Sequence, residues 1–440
     1  MKHNFRTTTV LYILLCLLSI PPLQAQDSAR VITLKEAIEL SVNSSHLLKN
    51  NVAKIKEATA FITEATDRRL PDVSASASYL YLPIKPKIKL KSDTSGRGGG
   101  PNVSEAMYGI LNASLPLFAG GKIRYGIASA RYLQEATILD AADNKQAVIL
   151  NTINAFSNLY KAKAAVALVK ENLDQAKQRV KDFTNLENNG LVARNDLLKV
   201  SLQSSNIELT LLDAESNYKI ASVNMALMLG LPEQTLLVAD SASLQQRYHP
   251  KTIEEYEQQA LQARNDVGAL SLRKKAYEVG IKVAKAEVYP EIALTAGYIA
   301  VDVPNFVTIT NAVNVGVGVK YSLSSLWKTK AKVDQAQARV DELTANQDMQ
   351  TDNIRLLINQ TYQVYLLSVK KIEVYQIAVE QAKENYRIIK NKYDNALATT
   401  TDLLDADVAQ LQTKLNVTNA AADAVVAYNK LLQTAGLLNN

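Results

Sequence analysis

Residues 195–198 read Asn195-Asp196-Leu197-Leu198, and 206 residues later the chain reads Thr401-Asp402-Leu403-Leu404. The first tetrapeptide follows the break Gly190-Leu191-Val192-Ala193, the second the break Ala396-Leu397-Ala398-Thr399. A further pair recurs in the same order: Leu70-Pro71-Asp72-Val73 returns as Tyr289-Pro290-Glu291-Ile292. Self-similarity on this scale marks a duplicated architecture.

Working outward from these anchors, the first copy occupies residues 26–230 and the second 252–440, with a polar linker at 231–251. Each copy reads helix, two strands, very long helix, short turn, returning helix. Strands are expected at about 72–90, 103–117, 291–302 and 312–324, and hairpin tips near 189–195 and 394–401. Pro71 and Pro290 lie where helix changes to strand, because proline lacks the donor that the helical ladder needs. Pro116 with Gly120-Gly121 marks the return to helix, and Ser95 to Pro101 reads as a flexible loop between strands.

The helices carry heptads. Leu159, Val166, Leu173 and Val180 form one row, and Ala162, Val169, Ala176 and Phe183 form another. The returning helix shows Val200, Ile207, Ala214 and Ala221 against Ser204, Leu211, Tyr218 and Met225. In the second copy the steps fall on Leu404, Val408, Leu411, Leu415, Thr418, Ala422 and Val425. A seven-residue period favours left-handed coiled-coil packing. The longest helices, about 121–188 and 326–393, each span roughly 100 Å, a length of use to a projecting hairpin and not to a globular core. The strand segments alternate instead. Val313 to Leu323 places Val313, Val315, Val317 and Val319 on one face, and Ile292, Leu294, Ala296 and Tyr298 follow the same period. This is the pattern of a lipid-facing barrel strand, although a half-buried soluble sheet alternates too.

The N-terminus is of another kind. Lys2 and Arg6 precede an apolar run from Val10 to Ile20, and Leu23-Gln24-Ala25 ends in a small residue. Residues 1–25 are expected to be a secretory signal peptide cut after Ala25. The one cysteine, Cys16, lies inside the apolar run, and bulky Leu15 before it argues against lipidation. The chain after residue 25 therefore offers no thiol chemistry and no disulfide. Its charge of +4, once Lys2 and Arg6 are set aside from the overall +6, is too weak and too dispersed for nucleic acid. The three histidines stand apart, and no nucleotide-binding, zinc-protease or serine-hydrolase motif occurs. No enzymatic activity and no cofactor are expected.

The duplicated plan, the Leu115-Pro116-Leu117-Phe118-Ala119-Gly120-Gly121 junction and the tip Gly190-Leu191-Val192-Ala193-Arg194-Asn195-Asp196 together resemble the TolC family of outer-membrane efflux proteins. The resemblance covers nearly all of the chain beyond residue 25. It implies a mainly α protein with a membrane β-barrel, in which three chains share a twelve-stranded barrel above a long α-helical coiled-coil tunnel. Physical reasoning agrees, since four strands cannot close and open edges in lipid leave backbone groups unpaired. The implied location is the outer membrane with the tunnel in the periplasm. The implied partners are a homotrimer, a periplasmic adaptor (membrane fusion) protein, an inner-membrane pump and outer-membrane lipid. The implied function is a passive duct of a tripartite efflux or type I secretion system. The alternative is a structural coiled-coil spacer or adhesin-like protein, which would keep the leader and heptads but has no need of lipid-type strands.

By the same resemblance, Asp402 and Asp405 fall at the family's periplasmic gate. An i, i+3 spacing puts both carboxylates on one helix face, but acidic residues near a helix start also complement its dipole. Tyr393 and Asp196 fall at the family's latch. The latch arginine is replaced by Ala398, with Arg194 as a substitute candidate, and Tyr393 reads equally as packing at a helix end. Gly190, Leu191, Val192, Ala193, Ala396 and Leu397 form the tips where an adaptor would dock, or ordinary tight turns. Lys85, Lys87, Lys89 and Lys91 share a strand face. They read as protection of a sheet edge more simply than as contacts to lipopolysaccharide phosphate. Tyr79, Tyr81, Tyr298 and Tyr321 are candidates for an interfacial girdle. The cargo is not legible, and methionine is too sparse for a copper or silver pathway.

Overall fold

The computed structural model describes residues 30–84, 103–244, 248, 250–304 and 306–438. The leader, Cys16, the Lys85 to Lys91 row and the 95–101 loop lie outside the described residues. In chain order the elements are β1 (Arg30–Ile32), α1 (Leu34–Ser44), α2 (His46–Asp67), β2 (Asp72–Tyr81), β3 (Glu105–Phe118), α3 (Lys122–Asn188) and α4 (Arg194–Leu229). There follow β4 (Leu237–Ala239), a short 3-10 turn (Ser241–Leu244), α5 (Ile253–Ala263), α6 (Asn265–Ala286), β5 (Glu291–Val303), β6 (Val307–Lys320), α7 (Ser325–Asp394) and α8 (Thr400–Thr434).

Four strands form one antiparallel sheet in the order β2-β3-β5-β6. Its register separates two chemistries. One cross-strand row is Ala75, Leu111, Tyr298 and Val313, and a neighbouring row two residues along is Val73, Ala113, Ala296 and Val315. The row between them, on the opposite face, is Ser74, Asn112, Gly297 and Asn314. Apolar and polar rows thus alternate across all four strands. The apolar face is bare: Val313, Val315, Val317 and Val319 are 64–72% exposed. A soluble sheet would cover such a face, whereas lipid leaves it bare.

Two strand boundaries differ from expectation. Among the described residues β2 ends at Tyr81, short of residue 90: Leu82 N still donates to Ser104 O at 2.8 Å, and the chain then bends at Pro83-Ile84, where proline offers no donor. β6 begins at Val307 and ends at Lys320, earlier at both ends than 312–324. At its start the cause is a bulge at Asn311, whose φ of 60° shifts the register between Ile299 and Val301 and reverses the phase of the alternation. Tyr298 sits within the apolar band rather than at a rim, whereas Tyr81 closes the far end of β2 and Tyr321 follows the near end of β6.

Beneath the sheet the helices keep the strand order. α2 packs on α3, α3 on α6, and α6 on α7, so each strand stands over the helix that feeds or leaves it. Further down, α4 packs on α3, α3 on α8, and α8 on α7. The strand-to-helix turn needs glycine: Gly120 has φ +60°, and a Cβ there would meet Ala286 O and the Tyr289 Cβ at 2.8 Å. Each opening helix is split rather than continuous. Ser45 leaves the helical region and its Oγ accepts from Leu48 N. Arg264 does the same while its guanidinium bonds Asp266 and the carbonyl of Thr434.

The linker is also more than a polar spacer. β4 pairs in parallel with β1, and Leu237 is fully buried among Ile32, Phe156, Leu159, Tyr218 and Met225. Burial of each such side chain stabilises the fold by about 1.5–3 kcal/mol. Three residues are too few to show a period, so this belt left no mark in the sequence pattern. Along the hairpins the seams at Val169, Leu173, Ala176, Phe183, Val200 and Ile207 are buried. Near the second tip the seam departs from expectation: Leu403 and Asp407 are buried, Leu404 is half-buried and Val408 is exposed.

Candidate functional site: the hairpin tips

The two tips are built alike. α3 ends at Asn189 and Gly190, where Gly190 has φ +70° and Leu191 N donates to Leu186 O. α7 ends at Asn395 and Ala396, where Ala396 has φ +56° and Leu397 N donates to Lys392 O. This is the left-handed cap that closes many helices. It leaves Leu191 and Leu397 projecting into solvent, 71% and 76% exposed, at equivalent points of the two turns. Ala193 and Ala398 flank them, and Val192 is half-buried.

The starts of the returning helices differ. Thr399 caps α8 in a full capping box: Asp402 N donates to Thr399 Oγ1 at 3.2 Å, and Thr399 N donates to Asp402 Oδ2 at 2.9 Å. The Thr399 N–H and the Thr399 hydroxyl, which donates to the same Oδ2 at 2.7 Å, hold the Asp402 carboxyl below the usual carboxylate range. Ala193 supplies no such cap to α4. Asp402 and Asp405 are both exposed on one face of α8. The carboxylate of Asp402 therefore also serves the helix start.

The latch residues are only partly brought together. Tyr393 stacks on Phe183 with ring centroids 5.6 Å apart. Burial pushes its phenol up, a hydrogen bond with Thr400 draws it down, and the Asp196 carboxylate pushes it up again. Asp196 thus lies within electrostatic reach of Tyr393, but its ion pair is with Lys199 at 3.6 Å. Arg194 reaches Glu187 at 4.0 Å across its own turn, not the second hairpin.

A buried polar cluster escaped the sequence reading. Arg179 on α3 donates to Asp407 Oδ2 on α8 at 3.1 Å and to the Tyr386 hydroxyl on α7 at 3.1 Å. Asn172, one heptad up α3, donates to the same Asp407 oxygen at 3.3 Å. Burial alone would lower the Arg179 guanidinium, but the bond and charge of Asp407 prevail and raise it. Arg179 lies beside the heptad seam, one residue before Val180 and seven after Asn172, so the heptad rows pointed to Val180 instead. The rule that apolar residues face inward preferred Val408 over Asp407.

The duplicated hairpins, the lipid-type sheet and the ordered helix layer agree with a family model of outer membrane efflux proteins, which matches residues 37–231 and 257–437. The chain belongs to the outer membrane efflux protein family. Outer membrane efflux protein BepC of Brucella suis is 21% identical over 329 residues, covering 73% of this chain and 70% of BepC. Among solved structures, the outer membrane protein VceC from Vibrio cholerae matches with a TM-score of 0.73 at 20% identity, over 92% of this chain and 96% of VceC. The Campylobacter jejuni CmeC outer membrane channel matches with a TM-score of 0.74 at 18% identity, over 92% of this chain and 86% of CmeC. By family this chain is an outer membrane efflux protein, and its fold is that of the CmeC outer membrane channel.

Proposed function

We propose that three copies of the chain form a passive duct of a tripartite efflux or type I secretion system, spanning the outer membrane and extending its helices into the periplasm. The observation that carries this reading is the matching of free edges. On one side the molecule presents β2 above α2 above α4, and on the other β6 above α7. Strand direction alternates from β2 to β6, so β6 of one copy meets β2 of the next in the antiparallel sense. The edge helices carry unburied seams: Leu202, Leu209 and Leu212 on α4, and Leu356, Leu367 and Val374 on α7. Such head-to-tail contacts generate rings when the rotation closes. Closure also removes the open strand edges that lipid does not tolerate.

In this duct the exposed leucines of the tips, Leu191 and Leu397, are the surface for a periplasmic adaptor, and an inner-membrane pump supplies the energy. Asp402 and Asp405 from each copy ring the inner end as a gate, and the Tyr393–Asp196 neighbourhood holds the hairpins closed. Native mass measurement in mild detergent tests the assembly, and planar-bilayer conductance tests the duct. A stable folded monomer without conductance overturns the proposal.

A further inference from the structure

Among the described residues, the only charged side chains withdrawn from solvent are Arg179 and Asp407, with side-chain exposures of 10% and 1%, and they pair with each other. A buried ion pair contributes little net stability, because desolvation offsets the attraction. The Oδ1 atom of Asp407 accepts no hydrogen bond from the described residues, which adds to that cost. What such a pair supplies is direction. Arg179 grips both helices of the second hairpin from the first, α8 through Asp407 and α7 through Tyr386.

The angular setting gives that grip a consequence. Successive helix residues turn by about 100°, so Asp407 stands roughly 170° from the bisector of Asp402 and Asp405. Asp407 is the back of the helix whose front carries the two acidic residues. We propose that Arg179 and Asp407 are positioning residues for the gate: the pair sets the rotation of α8 about its own axis and thereby aims Asp402 and Asp405 into the channel. This inference rests on the gate reading given above. A pore-widening movement that rotates or draws off α8 has to separate Arg179 from Asp407, so the pair also weights the equilibrium toward the narrow form.

The decisive variant removes the charges together. Arg179→Leu with Asp407→Leu leaves no buried charge unpaired, and such replacements are commonly neutral or stabilising. The expected result is a trimer whose thermal midpoint matches the wild type. Its bilayer conductance rises at least about twofold, and block by multivalent cations weakens about tenfold as the acidic face turns from the axis. Spin labels on Val408→Cys, in a chain without other cysteines beyond the leader, report the mutual spacing of the α8 helices, which is expected to change. The single change Arg179→Lys cannot reach both Asp407 and Tyr386, and is expected to give intermediate conductance. Should the double variant keep wild-type conductance, block and label spacing, the pair is packing only and the proposal falls. Asp402→Ala with Asp405→Ala separates the two ideas. If that variant leaves block unchanged, the gate reading fails, and the Val408 spacing still decides whether the pair sets α8.

Discussion

The ring of Tyr393 lies on the ring of Phe183 at 5.6 Å and 17° from parallel, joining the last turn of α7 to α3 of the other hairpin. Phe183 is buried at this contact, so an aromatic stack adds to the polar links of Arg179 and Asn172 between the hairpins. Phe183→Ala is expected to cost about 3 kcal/mol locally, seen as faster amide exchange on both tips, and to raise closed-state conductance. Tyr393→Phe keeps the stack and loses only the hydroxyl, so it should stay near wild type. An open channel from Tyr393→Phe alone would show instead that the polar latch dominates.

Gly190 and Ala396 occupy the same place in the two turns, both with positive φ, but only one is glycine. An L-residue in the left-handed region bears a strain of about 1 kcal/mol. Ala396→Gly should therefore slow amide exchange at the second tip by a corresponding factor, less the small entropic cost of glycine. Gly190→Ala should speed exchange at the first. The reverse order would mean that the turns are held by outside contacts.

The gate predicts a change of selectivity. With Asp402 and Asp405 from each copy crowded at one constriction, like charges focus a negative field and draw cations, multivalent ones most strongly. Asp402→Ala with Asp405→Ala should lower cation preference and abolish periplasmic-side block by di- or trivalent cations, leaving the trimer intact. Thr399→Ala keeps both acidic residues but removes the cap and the Thr399 hydroxyl's bond to the Asp402 carboxylate, and should cost about 1 kcal/mol of local helix stability. Equal ion selectivity in the acidic variant and the wild type would leave Asp402 with its capping role alone.

Docking at the tips predicts loss of export without loss of assembly. A Cβ at Gly190 meets nothing within 4 Å, so Gly190→Trp has room, although its φ of +70° strains the turn. The tip lies at the opposite end of α3 from the sheet, so membrane insertion and trimer yield should match wild type. Export measured in intact cells should fall to background. Full export by a correctly inserted variant would remove the tips from the docking surface.

Much of this architecture was legible because periodicity is local. The step of seven along α3 and α4 and the step of two along β5 and β6 each report which side of an element avoids water, and that information survives in one dimension. The duplication, the proline and glycine junctions and the tips were readable for the same reason. The split helices at Ser45 and Arg264 were not, since neither position carries a helix breaker. β4 was invisible too, as its partner β1 is some two hundred residues away in sequence.

The sequence by itself determined the order of the long helices and of the four sheet strands, the lipid-type alternation and the family. Only the tertiary structure decided which helix edges stay free and which polar groups are taken inside. Asp407 shows why. Its neighbours along the chain place it as an ordinary surface acid, and only the arrival of Arg179 and Asn172 from α3 makes its burial tolerable. Whether a charge can be buried depends on the partner that reaches it in space, and no pattern along a single helix records that partner.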